Sequence, residues 1–246
     1  MFSLFRSKTT QQPSPLIADI HSHLLPGLDD GVDSFEESVS LIKEFIKLGY
    51  SKIITTPHVM SDYYRNEPSD IQNKLSQLKD YLSEQKISID IEAAAEYYLD
   101  EELIKKLSQS QSMMTFGDRH LLFETNFLTE PLQLKEFIFT ATTQGYRPVL
   151  AHPERYQYLI GNIEKVEDLK NRGVLLQVNI PSIIGVYSKP IQKFAIELID
   201  KGWVDFLGSD CHNSIHMDFL KGAFSNRHFI KATQLPLLNR SLSQIK

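Results

Sequence analysis

Short runs of β-branched and aliphatic residues alternate along this chain with longer stretches of helical hydrophobic spacing, and this alternation restricts the fold more than any other feature. Such a pattern is typical of repeated β-α units around a parallel sheet. The predicted strands cover residues 16–20, 52–56, 89–95, 120–124, 148–151, 175–180 and 204–208. The sequence therefore predicts an α/β protein with seven parallel strands.

The segments between these strands carry helix signals. Ser34 and Glu37 have the spacing of a capping box, and apolar residues follow at helical intervals until Gly49. Further helices are predicted at residues 71–84, 101–109, 133–144, 166–172 and 190–201. Seven units favour a TIM-like (β/α)7 barrel over an open doubly wound sheet, which usually has five or six strands. We expect residues 1–15 to form a flexible tail and residues 16–246 to form a single domain.

The composition of the chain limits which partners and which cellular location we predict. The chain has 246 residues, with 26 Lys and Arg against 31 Asp and Glu, so a net charge of -5 argues against nucleic acid as a partner. The single cysteine, Cys211, excludes an internal disulfide. With no signal peptide and no transmembrane segment recognisable, we predict a cytoplasmic protein. The start of the chain is read as a disordered tail, with contact to a membrane surface or a partner as the alternative.

Ionisable side chains lie at the ends of six of the seven predicted strands. The segments are Asp19-Ile-His21-Ser-His23, Thr56-Pro-His58, Ala95-Glu96, Phe123-Glu124, Ala151-His152-Pro-Glu-Arg155 and Gly208-Ser-Asp210-Cys-His212. In a β/α barrel the carboxyl ends of the strands meet on one face. One such histidine or glutamate alone is more often a structural residue. Five histidines and several carboxylates together predict bound cations that offset the carboxylate charge.

These motifs resemble the polymerase and histidinol phosphatase (PHP) superfamily from about residue 17 to residue 213. The Leu-Pro-Gly-Leu-Asp-Asp-Gly and His-Pro-Glu-Arg-Tyr segments are similar to those of the bacterial tyrosine-protein phosphatases of capsule and exopolysaccharide loci. The resemblance implies a distorted TIM-like barrel with its metal site at the C-terminal ends of the strands.

The resemblance also implies nine metal ligands and three divalent metals. One metal would be held by His21, His23 and Asp210, with Glu96 bridging to a second metal completed by Glu124 and His152, and Asp30, His58 and His212 would hold the third. Imidazole and carboxylate donors without thiolate suit transition metals. Manganese is the first choice, with iron or zinc as alternatives.

Arg155, Asp210 and His212 are the predicted catalytic residues, with Arg155 binding the phosphate. The family pattern has a second arginine after the His-Asn pair, but Ser214-Ile-His-Met-Asp218 contains none. Asp29 is a weak candidate for a general acid. Cys211 is not expected to be a nucleophile, because no Cys-x5-Arg loop is present.

Residues outside the motifs have two possible roles. His120, His216 and His228 are read as ordinary histidines, with substrate contact as an alternative for His216. Residues 63–65, Tyr-Tyr-Arg, either line a phosphotyrosine groove or only pack a loop.

The predicted function is a metal-dependent protein-tyrosine phosphatase acting on a phosphotyrosine protein. The resemblance implies that this partner is a membrane-associated bacterial tyrosine kinase of polysaccharide biosynthesis. A histidinol-phosphate phosphatase is the main alternative, and a nuclease is less compatible with the negative charge. From a different class, a non-catalytic metal-bearing phosphotyrosine-binding module is also compatible with the motifs. The sequence does not predict an oligomeric state.

Overall fold

A computed structural model describes residues 16–243. The predicted flexible tail, residues 1–15, lies outside the described residues, so both the tail and the single-domain boundary stay predictions. Within the described part, all assigned strand pairings are parallel. The strands are β1 Ala18–Asp19, β2 Lys52–Thr55, β3 His58–Val59, β4 Asp90–Ala93, β5 Glu96–Tyr98, β6 His120–Glu124, β7 Arg147–Ala151, β8 Leu175–Asn179 and β9 Phe206–Gly208.

These strands form two hydrogen-bonded sheets, with the orders β1-β2-β4 and β3-β5-β6-β7-β8-β9. The second and third predicted strands correspond to β2 and β4, but the sequence did not predict the short strands β3 and β5 that follow them. A two-residue interruption separates β2 from β3, and another separates β4 from β5. Hydrogen bonds continue across the first break, where the Thr56 N–H donates to the Ser22 carbonyl at 2.7 Å. The two sheets are therefore successive parts of one layer.

The first and last strands meet just beyond their assigned ends. Ser22 and Cys211 form a parallel bridge. The Asp210 N–H donates to the His21 carbonyl at 2.8 Å, and the His23 N–H donates to the Cys211 carbonyl at 2.9 Å. The ring of seven strand segments is thereby completed, and the predicted distorted (β/α)7 barrel is confirmed.

Helices cover the outside of the ring. They are α1 Phe35–Lys47, α2 Pro68–Glu84, α3 Glu101–Ser108, α4 Leu134–Thr143, α5 Ile163–Asn171, α6 Ile180–Ile184, α7 Lys189–Asp200, α8 Ser214–Ala223 and α9 Arg227–Ala232, with 3-10 turns at Pro153–Arg155 and Leu238–Ser243. The Ser34 hydroxyl caps α1 by accepting from the Glu37 N–H, as predicted, but Glu37 reaches back to the N–H of Asp33 instead of Ser34. The sequence interpretation missed α6, α8 and α9.

Apolar side chains form two separate cores. The larger core lies between the ring and its helices. A smaller cluster fills the inside of the barrel below the strand ends and includes Ile20, Ile54, Leu122, Val149 and Phe206. This smaller cluster fills the base of the barrel, so a solvent-accessible site inside the barrel can lie only at the opposite end. Among the described helices, none combines the length and the apolar character that crossing a bilayer requires.

Candidate metal centre

Nine side chains that the sequence predicts as metal ligands meet at the carboxyl ends of the strands. Four groups of them have ligand atoms within 4.8 Å of one another. The groups are His23, Asp30, His58 and His212; His21, His23 and Glu96; His21, His152 and Asp210; and His58, Glu96 and Glu124. Because every predicted ligand belongs to at least one group, the structure brings the complete set together.

Glu96, the first residue of β5, lies at the centre of this cluster and is fully buried. Its Oε2 lies 3.0 Å from His21 Nε2, 3.5 Å from His23 Nε2 and 3.2 Å from His58 Nδ1. Its Oε1 lies 3.0 Å from His152 Nε2. One carboxylate thus contacts four imidazoles from three strands, which is a suitable geometry for a bridging ligand.

Asp30 forms the outer edge of the cluster, with 56% of its side chain exposed. Its Oδ1 lies 3.5 Å from His58 Nε2 and 3.4 Å from His212 Nε2. A hydrogen bond to His212 is the main cause that lowers the pKa of Asp30. The candidate site therefore runs from a solvent-exposed edge at Asp30 to a buried floor at Glu96.

Asp210 connects the imidazoles with the arginine of the mouth. Its Oδ1 lies 3.5 Å from Nε2 of both His21 and His23, and its Oδ2 accepts a hydrogen bond from Arg155 Nη1 at 3.2 Å. Asp210 and His152 have φ values of 50° and 35°. Left-handed backbone costs on the order of 1–3 kcal/mol in a residue other than glycine. Strain at two candidate ligands indicates a functional constraint on this end of the barrel.

Opposite charges within the cluster raise the pKa values of buried imidazoles and lower those of buried carboxylates. Burial alone would lower the pKa of His21, but Glu96 and Asp210 raise it to about 9. Burial would likewise raise the pKa of Glu96, yet His21 and His58 hold that pKa well below its usual range. Divalent cations bound to the same atoms would displace these protons and keep the carboxylates ionised.

Two buried imidazole nitrogens, Nε2 of His23 and Nδ1 of His58, have no hydrogen-bond partner within the described residues. Both lie within 3.5 Å of Glu96 Oε2. Because buried polar atoms are normally satisfied, these two nitrogens point to a ligand from outside the chain. Imidazole and carboxylate donors without thiolate suit manganese, iron or zinc. The residues present therefore fit divalent transition metals.

Asp29 supports the cluster instead of donating protons to a substrate. Its Oδ2 lies 2.7 Å from His23 Nδ1 and accepts from the His58 N–H at 2.9 Å, while Oδ1 accepts from the Gly31 N–H. Burial would raise the pKa of Asp29, but His23 and the backbone donors lower it well below its usual range. The prediction of Asp29 as a general acid does not fit this environment. Its contacts instead fix the orientation of His23.

Arg155 lies in the 3-10 turn Pro153–Arg155, three residues after His152. Its guanidinium carbon is 4.7 Å from the ring centres of both Phe127 and Tyr187, so the planar group is sandwiched between two aromatic rings. Its ion-pair partner is Asp210, at 3.2 Å. About a quarter of the Arg155 side chain stays exposed, at 26%.

The mouth is a cavity of about 480 Å³, lined by candidate ligands, by Arg155 and by Met60, Phe127, Tyr187 and His216. In residues 16–243, Arg155 is the only arginine on its wall. His216 Nδ1 lies 2.9 Å from the carbonyl of Asp210, so this histidine belongs to the mouth and is not an ordinary surface residue. On the loop after β3, Tyr64 stacks on His58, whereas Tyr63 is 78% exposed.

Cys211 points away from the mouth, since alternate residues of an extended segment face opposite sides. It is fully buried in the core between the ring and the helices. Burial is the main cause that raises the pKa of its thiol far above the usual range. The thiol therefore lacks both the access and the ionisation that a nucleophile needs.

The fold and this arrangement of donors define the class of β/α barrel proteins that carry metal-ligand side chains at the barrel mouth. Residues 17–218 match the family model described as capsular polysaccharide synthesis, CpsB/CapC, and the chain belongs to this family. The family relationship predicted from the motifs is confirmed.

Named relatives agree with this assignment. A Staphylococcus aureus protein named CapC is 27% identical over 239 residues, which cover 93% of this chain and 94% of the relative. The tyrosine-protein phosphatase YwqE of Bacillus subtilis is 28% identical over 195 residues, which cover 79% of this chain and 77% of YwqE. Crystal structures of YwqE and of CpsB from Streptococcus pneumoniae are described as metal-dependent tyrosine phosphatases. The matching chain has a TM-score of 0.78 and 25% identity, with coverage of 92% of this chain and 94% of that one.

Proposed function

We propose that this chain is a metal-dependent protein-tyrosine phosphatase. The observation that carries the proposal is the convergence of nine candidate metal ligands at the barrel mouth, where seven of them and Arg155 line a single cavity. Metal ligands beside an arginine suit a phosphoryl group, which needs cations around its oxygens. The relatives named as tyrosine phosphatases support the choice of substrate.

The ligand roles follow the grouping implied by the family. His21, His23 and Asp210 hold the first metal, Glu96 bridges to the second, and Glu124 with His152 completes the second. Asp30, His58 and His212 hold the third, and His23 lies within reach of this last group. We propose three divalent metals, with manganese first and iron or zinc as alternatives.

Bound metals would polarise a phosphoryl oxygen and lower the pKa of water enough to supply a nucleophile at neutral pH. Arg155 binds two phosphoryl oxygens, because its guanidinium is held flat between aromatic rings at the edge of the cavity. Nδ1 of His212 donates a hydrogen bond to the Asp210 carbonyl at 2.9 Å, which leaves Nε2 of His212 as the ligand atom. A phenol leaving group, with a pKa of about 10, needs little general-acid help.

We infer a phosphotyrosine protein as the physiological substrate, and specifically the tyrosine kinase of capsule or exopolysaccharide synthesis, from membership in a capsular polysaccharide family. The side chain of Asp30 is 56% exposed at the mouth, and this open edge suits a tyrosine on a protein surface better than an enclosed small molecule. A cytoplasmic location stays a prediction, to be tested by cell fractionation.

The test compares a phosphotyrosine peptide and histidinol phosphate side by side with metal-analysed protein. We expect hydrolysis of the peptide with a kcat/KM at least about tenfold higher, a difference of about 1.4 kcal/mol. Faster hydrolysis of histidinol phosphate would establish the alternative enzyme. Binding of the peptide without turnover would establish the non-catalytic module.

A further inference from the structure

Strand β8 differs from the other strands of the ring, because it contributes none of the nine candidate ligands. Its inward-facing residues near the mouth are instead two carboxamides, Gln177 and Asn179, both with 0% exposure. Residues two apart in a strand share one face, so both amides point into the barrel. Two fully buried amides are costly unless their polar atoms are paired.

Their pairing links two candidate ligands of the same metal. Gln177 Oε1 lies 2.7 Å from His21 Nδ1, and Gln177 Nε2 donates to Asn179 Oδ1 at 2.8 Å. Asn179 Nδ2 donates to Asp210 Oδ2 at 2.7 Å. A continuous chain of hydrogen bonds thus runs from His21 through both amides to Asp210.

The direction of this chain is determined at its Asp210 end. An ionised carboxylate only accepts, so Asn179 must turn its NH2 group toward Asp210 and its oxygen toward Gln177. Gln177 must then turn its NH2 group toward Asn179 and its oxygen toward His21. The proton between Gln177 and His21 therefore lies on His21 Nδ1. In the neutral imidazole this leaves the lone pair on Nε2, which lies 3.0 Å from Glu96 Oε2.

The surrounding backbone is shaped around the two amides. Gly208, at the end of β9, has no side chain where a Cβ would lie 2.7 Å from Gln177 Nε2 and 2.8 Å from His21 Cβ. On the other side, the Asn179 N–H donates to Glu154 Oε1 at 2.9 Å. Gln177 and Asn179 are therefore held in place from two neighbouring strands.

We propose that Gln177 and Asn179 are positioning residues that form an amide relay, which fixes the tautomer of His21 and the orientation of Asp210 for metal binding. This inference rests on the metal centre of the proposed function. It assigns a role to the strand that the family pattern leaves without a ligand. Groups that orient metal ligands in this way typically change metal affinity by about 10- to 100-fold when they are removed.

The test measures Mn²⁺ affinity by calorimetry on metal-depleted protein, with folding followed by thermal unfolding. Gln177→Met keeps the size of the side chain and removes its hydrogen bonds, and we expect the tightest class of Mn²⁺ sites to weaken by about 10- to 100-fold. Gln177→Glu retains an oxygen acceptor for His21 Nδ1, so it should recover part of this loss.

A matched control is available at the opposite end of the barrel. Asn239 is also a fully buried carboxamide, with bonds to Ala18 and Leu207. Asn239→Leu should lower the unfolding temperature without weakening Mn²⁺ binding. If Gln177→Met changes Mn²⁺ affinity no more than Asn239→Leu does, the relay is only structural and the inference is overturned. If the wild-type protein binds none of Mn²⁺, Fe²⁺ and Zn²⁺, the proposed function fails instead.

A second measurement does not depend on whether the variants fold. Long-range nitrogen-proton NMR correlations of the Zn²⁺-loaded wild-type protein, labelled on histidine, report which ring nitrogen carries the proton. We expect His21 to be protonated at Nδ1 with the metal at Nε2. A proton on Nε2, or a metal at Nδ1, would contradict the relay.

Discussion

At the base of the barrel one histidine is buried among aromatic rings, whereas at the mouth three buried histidines and two partly buried ones lie among carboxylates. The ring of His120 contacts those of Phe116 and Phe206, with a distance of 5.2 Å between ring centres in both cases. Burial, aided by nearby Arg147, lowers the pKa of His120 to about 4. His21 at the mouth is equally buried, yet its pKa rises to about 9 because of Glu96 and Asp210.

Burial therefore does not decide what a histidine does in this fold; the neighbouring charge does. The base keeps a neutral imidazole and behaves as an ordinary core. The mouth concentrates opposite charges at the place where strand ends converge, which is favourable for folding only if the charges are paired or bind cations. Substitutions at the mouth and at the base of the barrel test this difference.

The largest effect is expected for Glu96→Ala. Since Glu96 contacts four imidazoles, its loss should lower metal occupancy at two sites and reduce phosphotyrosine hydrolysis by at least about 1,000-fold, equivalent to several kcal/mol of barrier. Glu124→Ala is the matched control and should empty chiefly one site. Elemental analysis beside the activity assay checks both variants, and full occupancy in Glu96→Ala would argue against a bridging role.

Arg155→Ala should come next, with kcat/KM lowered by about 30- to 150-fold at equal metal content, or about 2–3 kcal/mol. Arg155→Lys should not restore activity, because an ammonium group cannot reproduce two parallel contacts or stack between the rings. Arg119, which stacks on Tyr146 far from the mouth, provides the control. Arg119→Ala should leave kcat/KM unchanged, and near-wild-type kinetics for either Arg155 variant would exclude the phosphate clamp.

His120 should make the stability of the folded protein depend on pH in the acid range. Its pKa is about 4 in the folded protein and about 6.5 in an unfolded chain. The unfolded state therefore binds the proton first, and stability is lost as the pH falls from about 6.5 toward 4. At pH 5 this group should contribute a loss of about 2 kcal/mol relative to pH 7.

The corresponding measurement is the free energy of unfolding at pH 7 and pH 5 for the wild-type protein and for His120→Phe, with equal metal content. His120→Phe should have the weaker pH dependence. His228→Phe, on α9, serves as the control and should behave like the wild type. Identical pH dependence in all three proteins would show that His120 is not held neutral by the base.

Cys211→Ser should have the smallest effect on catalysis. The thiol lies in the core behind the cluster, so activity should fall by less than about tenfold, or about 1.4 kcal/mol. Kinetics at measured metal content test this expectation. A larger loss with metals still bound would assign the thiol a direct role.

The sequence predicted that the candidate ligands meet at one end of the barrel, but it did not predict the residues that support them, for a physical reason. His21, His58 and Glu96 lie at the ends of apolar runs, and parallel strands necessarily bring such ends together. Gln177 and Asn179 are neutral amides, and in the sequence they show only as two polar residues in an otherwise apolar strand. Polar residues at alternate positions of an apolar strand, next to strands that end in charged residues, are the signal that would have identified them.

Other features depended on contacts between distant segments. Phe127 and Tyr187 lie far apart in the chain, so their sandwich around Arg155 could not be predicted from spacing. Helices α8 and α9 were missed although their start signals are present. Asn213 and Asn226 each accept hydrogen bonds from the first turn of the helix that follows, as N-cap residues do.

Metal removal tests the central claim most directly. The protein would be depleted by chelation, assayed on a phosphotyrosine peptide, and titrated with Mn²⁺ while bound metal is counted by elemental analysis. We predict that the depleted protein is inactive and that activity returns in step with about three bound equivalents. Full activity in metal-free protein would contradict the account.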